Sequence, residues 1–138
     1  MFRLIDCYLS LGIGFCVENP LSSRIWFTDE FVSLMSREDT FVVDLDMCSY
    51  CLRPPDHKKF EGDARVRKPT RLVTNVPQLC SLSRQCDGCH FHVEALGSCV
   101  DEAGKCVKRA KAAGVYPPPF CRKYAQAVKD FLTHEPRR

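Results

Sequence analysis

The sequence has no uninterrupted apolar run of the roughly 18–20 residues that a membrane span needs, so no membrane-spanning segment is expected among its 138 residues. Internal repeats and low-complexity stretches are also absent. An apolar run follows Arg3, but Asp6 interrupts it and no small-residue cleavage site follows. The ten cysteines would form disulfides in a secreted protein. Without a convincing signal peptide, we expect a cytoplasmic or nuclear protein.

Basic residues are scarce in the first part of the chain and acidic residues in the second. Residues 1–50 hold 3 Lys/Arg against 8 Asp/Glu, a balance of −5. Residues 51–138 hold 17 against 9, a balance of +8. Basic side chains that neutralise phosphates release counterions, so the basic part suggests a polyanionic partner such as DNA. A solvated charged surface is the alternative.

The pattern of apolar residues predicts alternating helices and strands. Apolar spacing indicates a helix at the start of the chain, and Thr28 can cap a second helix through its side-chain oxygen. Short β-branched and aromatic runs indicate three strands. A charged loop, 52–69, and a Cys/Gly-rich segment, 86–106, are predicted to be irregular. The helices are predicted at 2–10, 28–37 and 118–133, and the strands at 13–17, 40–46 and 70–76.

Strands and helices in this order predict an α/β fold in which a small sheet is flanked by helices. The length allows one domain with a real core, which we place at residues 1–133. Residues 134–138 are predicted to be a polar tail.

Glu18 follows directly on the first predicted strand. The carboxyl end of a strand is where α/β sheets bind ligands. A carboxylate there can hydrogen-bond the ring nitrogen and exocyclic amine of a flipped base. The alternative is a strand that turns at Asn19-Pro20 and leaves Glu18 solvated.

Basic residues surround the start of the third predicted strand. Arg67, Lys68 and Arg71 could clamp phosphates, and the hydroxyl of Thr70 could add a contact. An exposed, charged entry to a strand is the alternative.

Cysteines and histidines cluster in the pattern Cys80-x5-Cys86-x2-Cys89-His90-x-His92. Thiolate and imidazole are the ligands that tetrahedral Zn²⁺ prefers, so we predict Cys80, Cys86, His90 and His92 as candidate ligands. The letters Cys86-x-x-Cys89-His90 also match a c-type haem attachment site. That site requires export and a haem pocket, for which the sequence offers no convincing signal.

The motifs occur in an ordered succession that resembles a known family. The chain is similar, over residues 13–132, to methyltransferase-like domains of phages, large DNA viruses and mobile elements, which are related to the DNA cytosine-5 methyltransferases. The motifs that carry the resemblance are Glu18-Asn19-Pro20, Cys48-Ser49-Tyr50, Arg67-Lys68-Pro69-Thr70, Cys86-x-Gly88-x-His90-x-His92 and Tyr116-Pro117.

The resemblance implies the carboxy-terminal portion of a Rossmann-like methyltransferase fold, with S-adenosylmethionine as the family's cofactor. Glu18 would contact the target cytosine and Arg67 would support it. Lys68, Thr70 and Arg71 would contact DNA. Cys51 replaces the glycine that usually follows the tyrosine of the second motif, and a long insertion separates it from Arg67, so the loop differs from the family pattern.

Two parts of the family's chemistry are missing from the chain. No Pro-Cys pair supplies the nucleophile for carbon-5 methylation, and no Gly-rich loop follows a first strand to bind the cofactor. We therefore expect the chain to be inactive alone, with an upstream segment or a separate chain completing the fold. The alternative is a small zinc-binding module that binds nucleic acid or acts as an adaptor.

Overall fold

The computed structural model describes residues 1–134, so the predicted tail lies outside the described residues apart from His134, which ends the last helix. The chain has an α/β fold with small sheets and divides into two compact units. Unit 1 combines Met1–Asp44, Thr70–Ser83 and the chain from Lys123, and unit 2 combines Leu45–Pro69 with Arg84–Arg122.

Four α-helices and seven strands are present in the described part of the chain. The helices are α1 (Phe2–Ser10), α2 (Asp29–Met35), α3 (Arg109–Ala112) and α4 (Pro118–His134). The strands are β1 (Cys16–Pro20), β2 (Phe41–Asp46), β3 (Ala64–Val66), β4 (Pro69–Thr74), β5 (Phe91–Val93), β6 (Ser98–Val100) and β7 (Cys106–Lys108). They form a three-stranded sheet in the order β1–β4–β2 and two pairs, β3–β5 and β6–β7. None of the described helices has the length and apolar character needed to cross a bilayer.

An apolar cluster forms the core of unit 1. The rings of Trp26 and Phe31 meet edge to face at a centroid distance of 5.1 Å, and both side chains are fully buried. Thr28 is the N-cap of α2, as predicted. Its hydroxyl oxygen accepts a hydrogen bond from the N–H of Phe31 at 3.5 Å. The buried members of the cluster are Ile5, Phe15, Trp26, Phe31, Leu34 and Val73.

The first strand lies later in the chain than the sequence indicates. β1 begins at Cys16 and includes Asn19-Pro20, which lie beyond the predicted strand at 13–17 and where the alternative interpretation placed a turn. β1 is at the edge of the sheet, and proline is tolerated in an edge strand because its missing N–H leaves no ladder bond unmade. Glu18 therefore lies inside a strand, opposite Leu72, rather than beyond a strand's end.

The pairing of β1 with β4 is antiparallel. A Rossmann-like sheet consists mainly of parallel strands, so this pair does not add support for the Rossmann-like prediction. The structure supports the α/β class, and the finer assignment stays a prediction.

Unit 2 contains short strands where the sequence indicated irregular chain. β3 pairs with β5 in parallel, and β6 pairs antiparallel with β7. Strands of three residues are too short to show a reliable alternation of apolar and polar residues. Arg109 donates to the buried carboxylate of Asp56, and this hydrogen bond holds the pKa of Asp56 below its usual range.

Candidate metal centre

Four ligand side chains converge within unit 2. Cys48 lies in the 3₁₀ turn Met47–Tyr50 that directly follows β2, and Cys86 lies in the loop before β5. His92 is in β5 and His90 directly precedes it. The two imidazole rings meet edge to face at a centroid distance of 4.8 Å.

Two of the distances between the ligand atoms fall in the range of a tetrahedral metal site, and the others lie near it. Cys86 Sγ lies 3.6 Å from His90 Nε2 and 3.4 Å from His92 Nε2, and the two Nε2 atoms are 3.1 Å apart. All four ligand atoms, including Cys48 Sγ, lie within 4.8 Å of one another. With bonds of about 2.3 Å to sulfur and 2.0–2.1 Å to nitrogen, a tetrahedron requires ligand separations of roughly 3.3–3.8 Å. The group could therefore hold a metal ion.

The candidate site is largely shielded from solvent. Cys48 is fully buried, and the His90 side chain is only 1% exposed, while Cys86 and His92 are half-buried. Four protein ligands complete a tetrahedral shell, which is typical of structural rather than catalytic zinc sites.

Hydrogen bonds from the surrounding chain hold the two cysteines. The N–H of Gly88 lies 3.4 Å from Cys86 Sγ, and the N–H of Cys86 donates to Asp46 Oδ2 at 2.9 Å. Arg65, in β3, donates to the carbonyl oxygen of Cys48 at 2.8 Å. Both cysteines are thus held through their main chain, and Cys86 Sγ also accepts a hydrogen bond from the N–H of Gly88.

The pKa values of two candidate ligands, Cys48 and His90, are shifted from their usual values. Burial, together with the neighbouring Cys86 thiol, raises the pKa of Cys48 to about 12. Burial, followed by the charge of Arg65, lowers the pKa of His90, which favours the neutral imidazole that binds metals. Zn²⁺ would displace the thiol protons on binding.

A second group contacts the other ring nitrogen of His90. Asp87 Oδ1 and Cys89 Sγ each lie 3.8 Å from His90 Nδ1, and both side chains are exposed. Because this group shares His90 with the first group, we interpret it as the outer surroundings of that ligand. The pKa of the Cys89 thiol is raised, mainly by its hydrogen bond to Asp87, so this thiol has little thiolate character.

The ligand group differs from the predicted set at one position. Cys86, His90 and His92 come together as expected, but Cys80 is exposed in the 3₁₀ turn Pro77–Leu82 of unit 1 and belongs to neither group. Cys48, and not Cys80, is the fourth candidate ligand of the group. Spacing along the chain favoured Cys80 because it is near Cys86 in sequence, whereas Cys48 is brought in by tertiary structure. The Cys48-x-x-Cys51 spacing was the one available signal.

The two residues predicted to bind a base lie in different units. Glu18 is half-buried in β1 of unit 1. Arg67 is in unit 2, with a side chain that is 58% exposed and an Nε atom 3.9 Å from Asp46 Oδ1.

Of the three predicted DNA-binding residues, two do not present free polar groups to the surface. Thr70 is fully buried, so its hydroxyl is not accessible to a phosphate in this structure. Arg71 forms a bidentate pair with Asp44, with N–O distances of 2.7 and 2.8 Å. Lys68 is half-buried and its Nζ atom lies 4.9 Å from the centre of the Tyr116 ring.

Comparisons of the chain with protein-family models, curated proteins and solved structures found no match. The methyltransferase resemblance and its S-adenosylmethionine cofactor therefore stay predictions. The Cys/His group is the feature of the described residues on which a functional argument can be based.

Proposed function

We propose that this chain is a zinc-binding module that binds nucleic acid, with one Zn²⁺ ion held by Cys48, Cys86, His90 and His92. The observation that carries the proposal is the convergence of two thiols and two imidazole Nε2 atoms within 4.8 Å. Sulfur and nitrogen ligands in tetrahedral arrangement favour Zn²⁺ over Mg²⁺ or Ca²⁺, which prefer oxygen.

The role assigned to the ion is structural. Unit 2 is smaller than roughly 70–80 residues, a size below which a single hydrophobic core rarely supplies more than about 3–5 kcal/mol. A metal that links the turn after β2 to the loop and strand near β5 ties together segments that are far apart in sequence. The ion would supply no open coordination position for substrate, so the proposal assigns no reaction to it.

The charge of unit 2 supports nucleic acid as the partner. Leu45–Pro69 and Arg84–Arg122 together hold 12 Lys/Arg against 8 Asp/Glu, a balance of +4. The remaining chain holds 8 Lys/Arg against 9 Asp/Glu, a net charge of −1. The positive charge is thus concentrated in the unit that contains the candidate metal centre, as expected for a domain that binds phosphates.

Metal analysis of purified variants tests the zinc assignment. We expect one zinc ion per wild-type chain, and a loss of at least tenfold in zinc affinity for Cys48→Ser and for His92→Ala, because each removes one of four ligands. Zinc would be measured by elemental analysis after dialysis and by competition with a chromogenic chelator. Cobalt substitution would report whether two thiolates ligate the ion.

Cys80→Ser is the matched control because Cys80 is an exposed cysteine outside the ligand group. It should keep wild-type zinc content. Loss of zinc from Cys80→Ser with retention in Cys48→Ser would overturn this ligand set.

A second candidate function follows from Glu18. Its Oε1 atom is buried and has no hydrogen-bond partner among the described residues. An unsatisfied buried acceptor is costly, and a catalytic or binding role is one explanation for such a group. We propose on this ground that Glu18 is the residue that would contact a cytosine, as the methyltransferase resemblance implies.

Glu18→Ala separates this role from a purely structural one. Removing a carboxylate whose buried Oε1 atom has no partner among the described residues should leave the thermal midpoint unchanged or raise it, because the cost of burying that atom disappears. Preference for cytosine-containing over thymine-containing single strands, measured by fluorescence anisotropy, should be lost. The exposed Glu38→Ala variant should change neither quantity. Equal binding of both oligonucleotides by the wild-type chain would exclude the role.

A further inference from the structure

A row of three aromatic rings in unit 2 has a basic side chain at each end. The rings of Tyr116, Phe120 and Tyr50 follow one another, with a centroid distance of 5.4 Å at each step. Lys68 Nζ lies 4.9 Å from the centre of the Tyr116 ring, and Arg84 Cζ lies 5.5 Å from the centre of the Tyr50 ring. Both are within the range of about 6 Å over which rings attract cations. The aromatic row therefore restricts where the two basic groups lie.

Lys68 and Arg84 are next to the same short stretch of main chain. The N–H of Met47 donates to the carbonyl oxygen of Lys68 at 3.1 Å, and the N–H of Asp46 donates to that of Arg84 at 2.8 Å. Arg67 also reaches this stretch, through its contact of 3.9 Å with Asp46. Because neighbouring hydrogen-bonded chains run about 5 Å apart, the main chains of the three basic residues lie within roughly 10 Å of one another.

The local charge is positive. Asp46 is the acidic residue at this stretch, and its side chain is only 5% exposed. One oxygen of the Asp46 carboxylate accepts a hydrogen bond from the N–H of the candidate ligand Cys86, so this oxygen is already partly engaged. The exposed side chains of Arg67 and Arg84 and the half-buried Lys68 therefore outweigh it.

We propose that Arg67, Lys68 and Arg84 form the surface that contacts the phosphodiester backbone of nucleic acid. The three basic residues flank one short stretch of main chain, so their side chains can meet phosphates of one strand. This inference rests on the proposed function, since it names the residues through which unit 2 binds nucleic acid.

The candidate metal centre and this surface share the main chain after β2. Cys48 follows Asp46 and Met47, and Asp46 accepts a hydrogen bond from Cys86. Zinc bound by both cysteines would therefore also fix the chain against which Lys68 and Arg84 lie. The contacts are to phosphate, so the surface does not by itself select a base sequence.

The salt dependence of binding tests the surface in the zinc-loaded chain. Affinity for a fluorescent 20-mer oligonucleotide would be measured by anisotropy at several salt concentrations, for the wild type and for the triple variant Arg67→Ala, Lys68→Ala, Arg84→Ala. We expect affinity to fall roughly 10- to 100-fold, and the slope of log affinity against log salt to fall by about one for each lost contact. Arg67→Gln alone, at an exposed position, should lower the slope by about one and keeps the test valid if the triple variant folds poorly.

The matched control removes the same charge elsewhere in unit 2. Lys105, Lys108 and Lys111 are exposed and lie on β7 and its flanking segments, so their triple alanine variant should keep most of the affinity and slope. Equal losses in the two triple variants, or no loss in the first, would overturn the surface while leaving nucleic-acid binding intact. A zinc-loaded wild-type chain that binds no oligonucleotide would instead overturn the nucleic-acid part of the proposed function.

Discussion

Gly88 determines the conformation of the turn that carries Cys86. Its φ angle is +74°, in the region that residues with a Cβ rarely adopt. A Cβ added at this position would meet nothing within 4 Å, so the restriction is conformational and not one of space. The N–H that this conformation aims at Cys86 Sγ supplies a hydrogen bond to the candidate metal ligand.

Replacing Gly88 with alanine should weaken zinc binding. Holding alanine in a left-handed conformation costs about 1–2 kcal/mol. If the turn relaxes to avoid this cost, the hydrogen bond to Cys86 is lost, and we expect zinc affinity to fall roughly 5- to 30-fold. Competition with a chromogenic chelator measures the change.

Gly104→Ala is the control for backbone strain alone. Gly104 has a φ of +78° in the turn between β6 and β7, and an added Cβ would also meet nothing within 4 Å. It should destabilise unit 2 by a similar amount without a specific effect on zinc. If both variants lost zinc equally, the effect would be a general loss of stability rather than a change at the Cys86 turn.

Individual metal ligands could be predicted from the sequence only where they are close together. Cys86, His90 and His92 lie within seven positions, and local spacing was enough to group them. Cys48 lies far from them in sequence, and its place depends on the turn after β2 and on the hydrogen bond from Arg65. Those are tertiary contacts, which spacing does not report.

Helices with local signals could be predicted well. α1 has the predicted bounds, α2 begins after the predicted cap Thr28, and α4 ends within one residue of the expected position. Each helix carries its evidence in its own residues, through apolar periodicity or an N-terminal cap. Helix prediction therefore did not depend on knowledge of the partner elements.

The short strands could not be predicted because their own residues carry little local signal. β3 and β5 have three residues each, and Ala64 pairs with Phe91, which is distant in sequence. Their stability comes from pairing, burial and the neighbouring Cys/His group rather than from local propensity. This pairing also aligns Arg65 with His92, so one of the strands that were not predicted carries a candidate metal ligand.

The two units differ in what stabilises them. Unit 1 has a cluster of large apolar side chains that includes the chain's single tryptophan, Trp26. Unit 2 also buries apolar side chains, among them Tyr50 and Phe120, and it adds ion pairs such as that of Asp56 with Arg109 and the candidate zinc ligands. Removal of zinc should therefore act on unit 2 far more than on unit 1.

Chelation combined with amide hydrogen exchange tests this difference. After zinc is removed, we expect residues 45–69 and 84–122 to lose protection by at least tenfold, because the metal that links their segments is gone. Protection in α2, and the fluorescence of the buried Trp26, should change little. Mass spectrometry of peptides from the two units measures both responses in one sample.

The outcome separates a structural metal from an incidental one. Zinc bound at the surface for no structural reason would leave exchange in both units unchanged after chelation, which would contradict the role proposed for it. Loss of protection in both units together would show that the core around Trp26 and Phe31 cannot hold unit 1 on its own. Selective loss in unit 2 would show that the bound metal stabilises this unit beyond what its buried apolar side chains supply.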